Sequence, residues 1–136
     1  MNDEQAVLFA NEAFYRAFDD GDAGAMDDVW ARDAPVACIH PGWGAISGRE
    51  NVMESWRAIL TGSNRPAIES LAATAFVYGD TAFVICYESL DEGLLIATNV
   101  FVREEGAWKM VHHQAGPSAP PEIEEPDDDE PATLVH

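Results

Sequence analysis

Basic residues are scarce in this chain: seven Lys and Arg stand against 25 Asp and Glu, for a formal net charge of −18. A molecule so acidic repels phosphate backbones and anionic headgroups, so neither nucleic acid nor a membrane surface is an expected partner. Apolar runs of membrane-spanning length are lacking as well. Cysteine is nearly absent: Cys38 and Cys86 lie in apolar, strand-like runs and match no metal or redox spacing, so they read as buried free thiols. The opening MNDEQAVLFANEAF begins with acids and has neither a basic n-region nor a long apolar core, so no secretory signal is expected and a cytoplasmic location fits. Serine-nucleophile, Walker, dinucleotide and H-E-x-x-H signatures are missing, so the expectation is no cofactor and no metal. A metal site made from His40, Glu88 and one of His112 and His113 has no spacing to support it.

What is present suits one domain with one core, since 47% of 136 residues are hydrophobic. Helical signals come first. Val7, Ala10, Phe14, Ala17 and Phe18 recur at helical spacing between Asp3 and Asp20, with Asn2 or Asp3 placed to cap the first turn. Asp22 caps a short second helix carrying Met26, Val29 and Trp30, which ends before Pro35. PVACIH then alternates like a strand, HPGWG turns, and after Gly48 the helical period returns through Val52, Met53, Trp56, Ile59 and Leu60.

Beyond TGSNRP every signal is of strand. AIESLAATAFVYG, TAFVICYESL, LLIATNVFVREE and AWKMVHHQAG are rich in β-branched and aromatic residues and are joined by short turns, which predicts four antiparallel strands. TAFVICY is apolar on both faces, so both faces of the sheet need cover, and a homodimer through the sheet face supplies it. The domain is expected to end near residue 116. Residues 117–136 form a proline-rich tail that holds seven of the acids and has little to bury.

The order α-α-β-α-β-β-β-β, with HPGWG…GRENVMESW and the ending GAWKMVHHQAG, resembles the nuclear transport factor 2-like superfamily over residues 3–116. The SnoaL-like and calmodulin-kinase association-domain-like members are most similar. The resemblance implies a cystatin-like α+β cone: N-terminal helices packed in a curved antiparallel sheet, open at one end into a pocket, and dimerised through the convex sheet face. That fold hosts isomerases, dehydratases, cyclases and hydrolases as well as modules that only bind, so function rests on the pocket.

Comparison with the ketosteroid isomerase-like branch places His40, directly before Pro41, where that branch keeps its carboxylate base. An imidazole with an ordinary pKa of ~6.5 suits proton shuttling. Asn99 stands where the branch has a protonated aspartate, and its amide suits a developing oxyanion. The branch's tyrosine falls at Phe14, with Tyr15 one position away and expected to point elsewhere. Phe14, Trp43, Trp56 and His112 are the expected ligand-binding residues; His112 and His113 point to opposite faces of the last strand, one toward the pocket and one toward the dimer face, and His112 is the one that shares parity with Trp108 and Met110. The expected ligand is a small, mainly apolar carbonyl compound of polyketide or steroid type. It is isomerised or dehydrated by proton transfer, or only bound; a third reading puts function in dimer or partner association.

Overall fold

The computed structural model describes residues 1–120 and comprises three helices and one six-stranded sheet. Helix α1 spans Asp3–Asp20. Asn2 and Gln5 each bond the other's backbone N–H in a capping box, and Gly21, at φ +64°, ends the helix. Asp22 accepts from the Ala25 N–H and starts α2, Ala23–Val29. Strands β1 (Ala37–Ile39) and β2 (Ile46–Ser47) flank the HPGWG turn, and α3 follows at Arg49–Thr61. Then come β3 (Glu69–Tyr78), β4 (Thr81–Leu90), β5 (Gly93–Glu104) and β6 (Ala107–Pro117).

The sheet order is β2-β1-β6-β5-β4-β3. The four long strands pair antiparallel, as their short connections require, while β1 joins the β6 edge in parallel. Strand β2 was not read from the sequence, because two residues carry no alternation to detect. Strand β6 also runs one residue past the expected boundary at 116, and the Ser118 N–H donates to Leu94 O at 2.9 Å. The acidic run after Pro120 lies outside the described residues.

All three helices lie on one face of the sheet. Val7, Phe14, Tyr15 and Phe18 of α1 and Val52, Trp56 and Leu60 of α3 are buried together with Val84, Cys86, Ala97, Phe101 and Met110 from the strands. Full burial of one such side chain contributes about 1.5–3 kcal/mol. Arg49, at the start of α3, ties that helix to the end of α2. Its guanidinium donates to the carbonyls of Asp27, Trp30 and Ala31 at 2.9 Å each, and to the Asp27 carboxylate at 2.8 Å.

Two bulges shape the sheet. One extra residue enters β3 between Leu71 and Thr74, where Ala72 takes φ +55°, and another enters β6 at Val111, between the pairs Phe101↔Met110 and Val100↔His112. An extra residue reverses which side chains face inward beyond it. Trp108 and Met110 face the helices, but after Val111 the inward residues are His113 and Ala115. His112 is turned to the outer face, where its Nδ1 bonds Ala37 O at 3.0 Å.

Candidate functional site

The HPGWG stretch is first of all a turn. Trp43 N–H donates to His40 O at 2.9 Å, Pro41 occupies the second position and Gly42 the third at φ +82°, the pattern of a type II turn. The turn leaves His40 at the end of β1, only 3% exposed, and Trp43 at the rim, 51% exposed. The two rings meet edge to face at 4.8 Å.

Beneath them is a cavity of about 320 Å³ between α1, α3 and the inner face of the sheet. That is at the lower end of the ~300–1,000 Å³ usual for small-molecule sites. Phe14, Phe18, Trp56, Ile59, Ile68 and Leu95 supply apolar wall, and His40, His113, Tyr15 and Glu88 supply the polar atoms. Trp56 is central: its ring lies 4.6 Å from His40, 5.3 Å from Phe14 and 5.9 Å from His113.

His40 Nε2 lies 2.9 Å from Ser55 Oγ, one turn before Trp56's neighbour Ile59 on α3. Burial lowers its pKa to about 4, so the ring is neutral at neutral pH. His113 sits at the floor with its Nδ1 2.6 Å from Asn99 Oδ1. Burial first, then the neighbouring His40 and His112, bring its pKa down to about 3. Tyr15 donates to Glu88 Oε2 at 2.6 Å and lies 3.2 Å from Cys86 Sγ. Burial and the adjacent Glu88 push the phenol upward, so it stays protonated. The Glu88 carboxyl, 2% exposed, is also pushed up by burial, against a smaller opposing effect of the Tyr15 hydrogen bond.

Of the residues singled out from sequence, His40, Trp43, Trp56 and Phe14 line the cavity together. Asn99 does not reach it. Fully buried one layer below, it has both amide protons committed, to Asn11 Oδ1 at 2.8 Å and to Tyr15 Oη at 3.1 Å, so none is free for a substrate oxyanion. Asn99 therefore orients His113 and Tyr15. His112 is replaced at the cavity by His113, because of the bulge at Val111. Tyr15 points into the cavity beside Phe14 rather than away from it, since the inner side of α1 is wide enough for both.

From sequence, Glu88 enters only as a candidate metal ligand. Its parity with Ala82, Val84 and Cys86, all buried, was the available signal that a carboxyl enters the core. Among the described residues, no group of three or more His, Cys, Asp or Glu is arranged to hold a metal ion. None of the described helices is long and apolar enough to cross a membrane.

Comparison with known proteins agrees with this architecture. The SnoaL-like domain matches residues 7–120. A solved structure from Streptomyces avermitilis, described as a candidate dehydratase of the nuclear transport factor 2-like family, is 34% identical. It covers 87% of this chain and 97% of its own, with a TM-score of 0.79. A second, from Thiobacillus denitrificans, described as a candidate calcium/calmodulin-dependent protein kinase type II association domain, is 37% identical. It covers 81% of this chain and 93% of its own, with a TM-score of 0.74. More distant structures of cystatin-like fold share the architecture alone. The F-box protein SKIP8 of Arabidopsis thaliana is 28% identical over 113 residues, 82% of this chain and 49% of that protein, so the chain spans about half the length of this curated relative. Helices on one face of a six-stranded sheet, a cavity between them and a domain match across most of the chain lead to one conclusion: this protein belongs to the SnoaL-like family, with the cystatin-like α+β fold of nuclear transport factor 2-like proteins.

Proposed function

We propose that the chain is a cofactor-independent enzyme that moves a proton on a small, mainly apolar carbonyl compound, as a dehydratase or isomerase. The observation that carries this reading is the convergence of two buried neutral imidazoles and a buried carboxyl on one otherwise apolar cavity. Similarity to the candidate dehydratase of Streptomyces avermitilis favours the same chemistry.

His40 is the base in this reading. At a pKa of about 4 it is unprotonated at neutral pH and comparable in strength to the carboxylates that serve as bases elsewhere, at roughly 4 to 5. It takes a proton from the carbon beside the carbonyl, leaving an enolate. Return of that proton to a different carbon completes an isomerisation. Alternatively, departure of a β-hydroxyl, which takes up the proton and leaves as water, completes a dehydration. Phe14, Trp43 and Trp56 hold the apolar body, and Asn99 acts as a positioning residue through His113 and Tyr15.

The test is hydrogen exchange: small cyclic ketones incubated with the protein in heavy water should gain deuterium beside the carbonyl, and His40→Gln should stop it. A cytoplasmic homodimer completes the proposal. Phe76, Tyr78 and Ile96 are exposed on the outer sheet face, where the Phe76 and Phe83 rings stack at 4.8 Å, and similarity to an association domain favours self-association.

A further inference from the structure

The hydrogen bonds around the cavity fix which atoms are left for a ligand. Ser55 has one hydroxyl proton and gives it to Val52 O at 2.7 Å, so its 2.9 Å contact with His40 requires the imidazole proton to sit on Nε2. Nδ1 of His40 then carries the lone pair. Its nearest polar neighbour is Cys38 Sγ, 3.9 Å from Nδ1 and 3.8 Å from Nε2, a near-equal spacing that sets the sulfur over the ring instead of in line with either nitrogen.

The same reasoning applies to His113. Asn99 uses Nδ2 as the donor to Asn11 and Tyr15, so its Oδ1 accepts from His113 Nδ1–H, and the lone pair of His113 is on Nε2. On the opposing wall Glu88 Oε2 accepts the Tyr15 proton, while Oε1 has no protein hydrogen bond among the described residues. Among the described residues, no Lys or Arg lines the cavity. The groups around Glu88 are Tyr15 on α1, Ser70 opposite it on β3, Cys86 on its own strand, Leu95 opposite it on β5, and His113, which shares the cavity wall, on β6. None is a cation at neutral pH.

We propose that Glu88 is held as a neutral carboxylic acid, and that its free proton and the lone pairs of His40 and His113 make the cavity selective for an uncharged apolar molecule. Such a molecule offers a hydroxyl group to His113 and an acceptor oxygen to Glu88, and leaves the His40 lone pair to face its carbon-bound proton. Anionic ligands are rejected because their charge would be buried with no cation to meet it. This inference rests on the cavity being the functional site proposed above, and it names the class of molecule that site takes.

Calorimetry at neutral pH with 2-naphthol, 2-naphthoate and naphthalene tests it on the unmodified protein. The expected order is naphthol above naphthalene above naphthoate, with naphthoate weaker than naphthol by about ten-fold or more. Glu88→Gln keeps a neutral donor on the same skeleton, so it should retain naphthol binding within a few-fold. Infrared difference spectra between the two proteins should show a protonated carboxyl carbonyl. Naphthoate binding as tightly as naphthol, no naphthol binding, or a carboxylate band in place of the protonated one would each overturn the inference. The exchange experiment on His40→Gln judges the proton-transfer reading separately. Naphthol selectivity without His40-dependent exchange removes that reading and leaves the selectivity, and the converse result removes only the selectivity.

Discussion

His113 donates from Nδ1 to Asn99 Oδ1 across 2.6 Å, in the layer directly beneath the cavity floor. The bond joins adjacent strands, since Asn99 and His113 are Cα partners in the β5–β6 ladder. Asn99 also holds Tyr15, so one amide sets the direction of two polar groups that a ligand meets.

Replacing that amide should be expensive. Asn99→Leu strands the buried His113 N–H and removes a donor from Tyr15, which should cost about 1–3 kcal/mol for each group left unsatisfied. A urea unfolding series reads the loss. Nitrogen NMR on the same variant should show the His113 proton no longer fixed on Nδ1, a signature that loss of packing alone does not produce.

Both buried imidazoles should resist protonation. Their folded pKa values, about 4 for His40 and about 3 for His113, lie below the ordinary 6.5. The unfolded chain therefore binds more protons between these limits. Their contribution to stability is complete above pH ~6.5 and is lost as pH drops toward 4 and below, by roughly 3 kcal/mol for a ring shifted this far. Glu88, shifted upward, acts in the opposite sense, its stabilisation fading as pH rises through its own range. An NMR titration separates the groups: the His40 and His113 ring signals should stay those of neutral imidazole from pH 8 down to pH 5. A midpoint near 6.5 for either ring would contradict the burial account.

Arg49 ties α3 to the end of α2, and α3 carries Ser55 and Trp56 to the cavity. Arg49→Met keeps much of the aliphatic stem and removes every donor, so it should cost roughly 1–3 kcal/mol. Trp56 fluorescence should change in parallel, because the helix that places the ring is no longer pinned.

The outer sheet face predicts self-association. Sedimentation should give a dimer at micromolar concentration, and the double variant Phe76→Glu, Tyr78→Lys should give a folded monomer. A wild-type monomer would contradict the homodimer.

Much of the fold was legible because each segment carries a plain signal: a period of 3.6 through Val52 and Trp56, and a run of β-branched and aromatic residues bounded by turns from Thr81 to Leu90. Caps at Asn2 and Asp22 and the turn at Pro41–Gly42 were equally visible. The site was legible only in part, since alternation along AWKMVHHQAG assumes an unbroken strand. The extra residue at Val111 reverses the parity and exchanges His112 for His113. Asn99 was matched to the branch's aspartate, but its depth depends on α1 covering it through Asn11 and Tyr15, contacts 88 and 84 residues away in sequence that no local pattern encodes.

The most direct measurement of the central claim is deuterium incorporation beside the carbonyl of small cyclic ketones, comparing wild type with His40→Gln. Glutamine can still donate to Ser55, so the variant should unfold at nearly the same urea concentration as wild type. If His40 is the base, exchange in that folded variant should fall by about 10²–10⁴-fold. Exchange that continues undiminished in a folded His40→Gln protein would contradict the account.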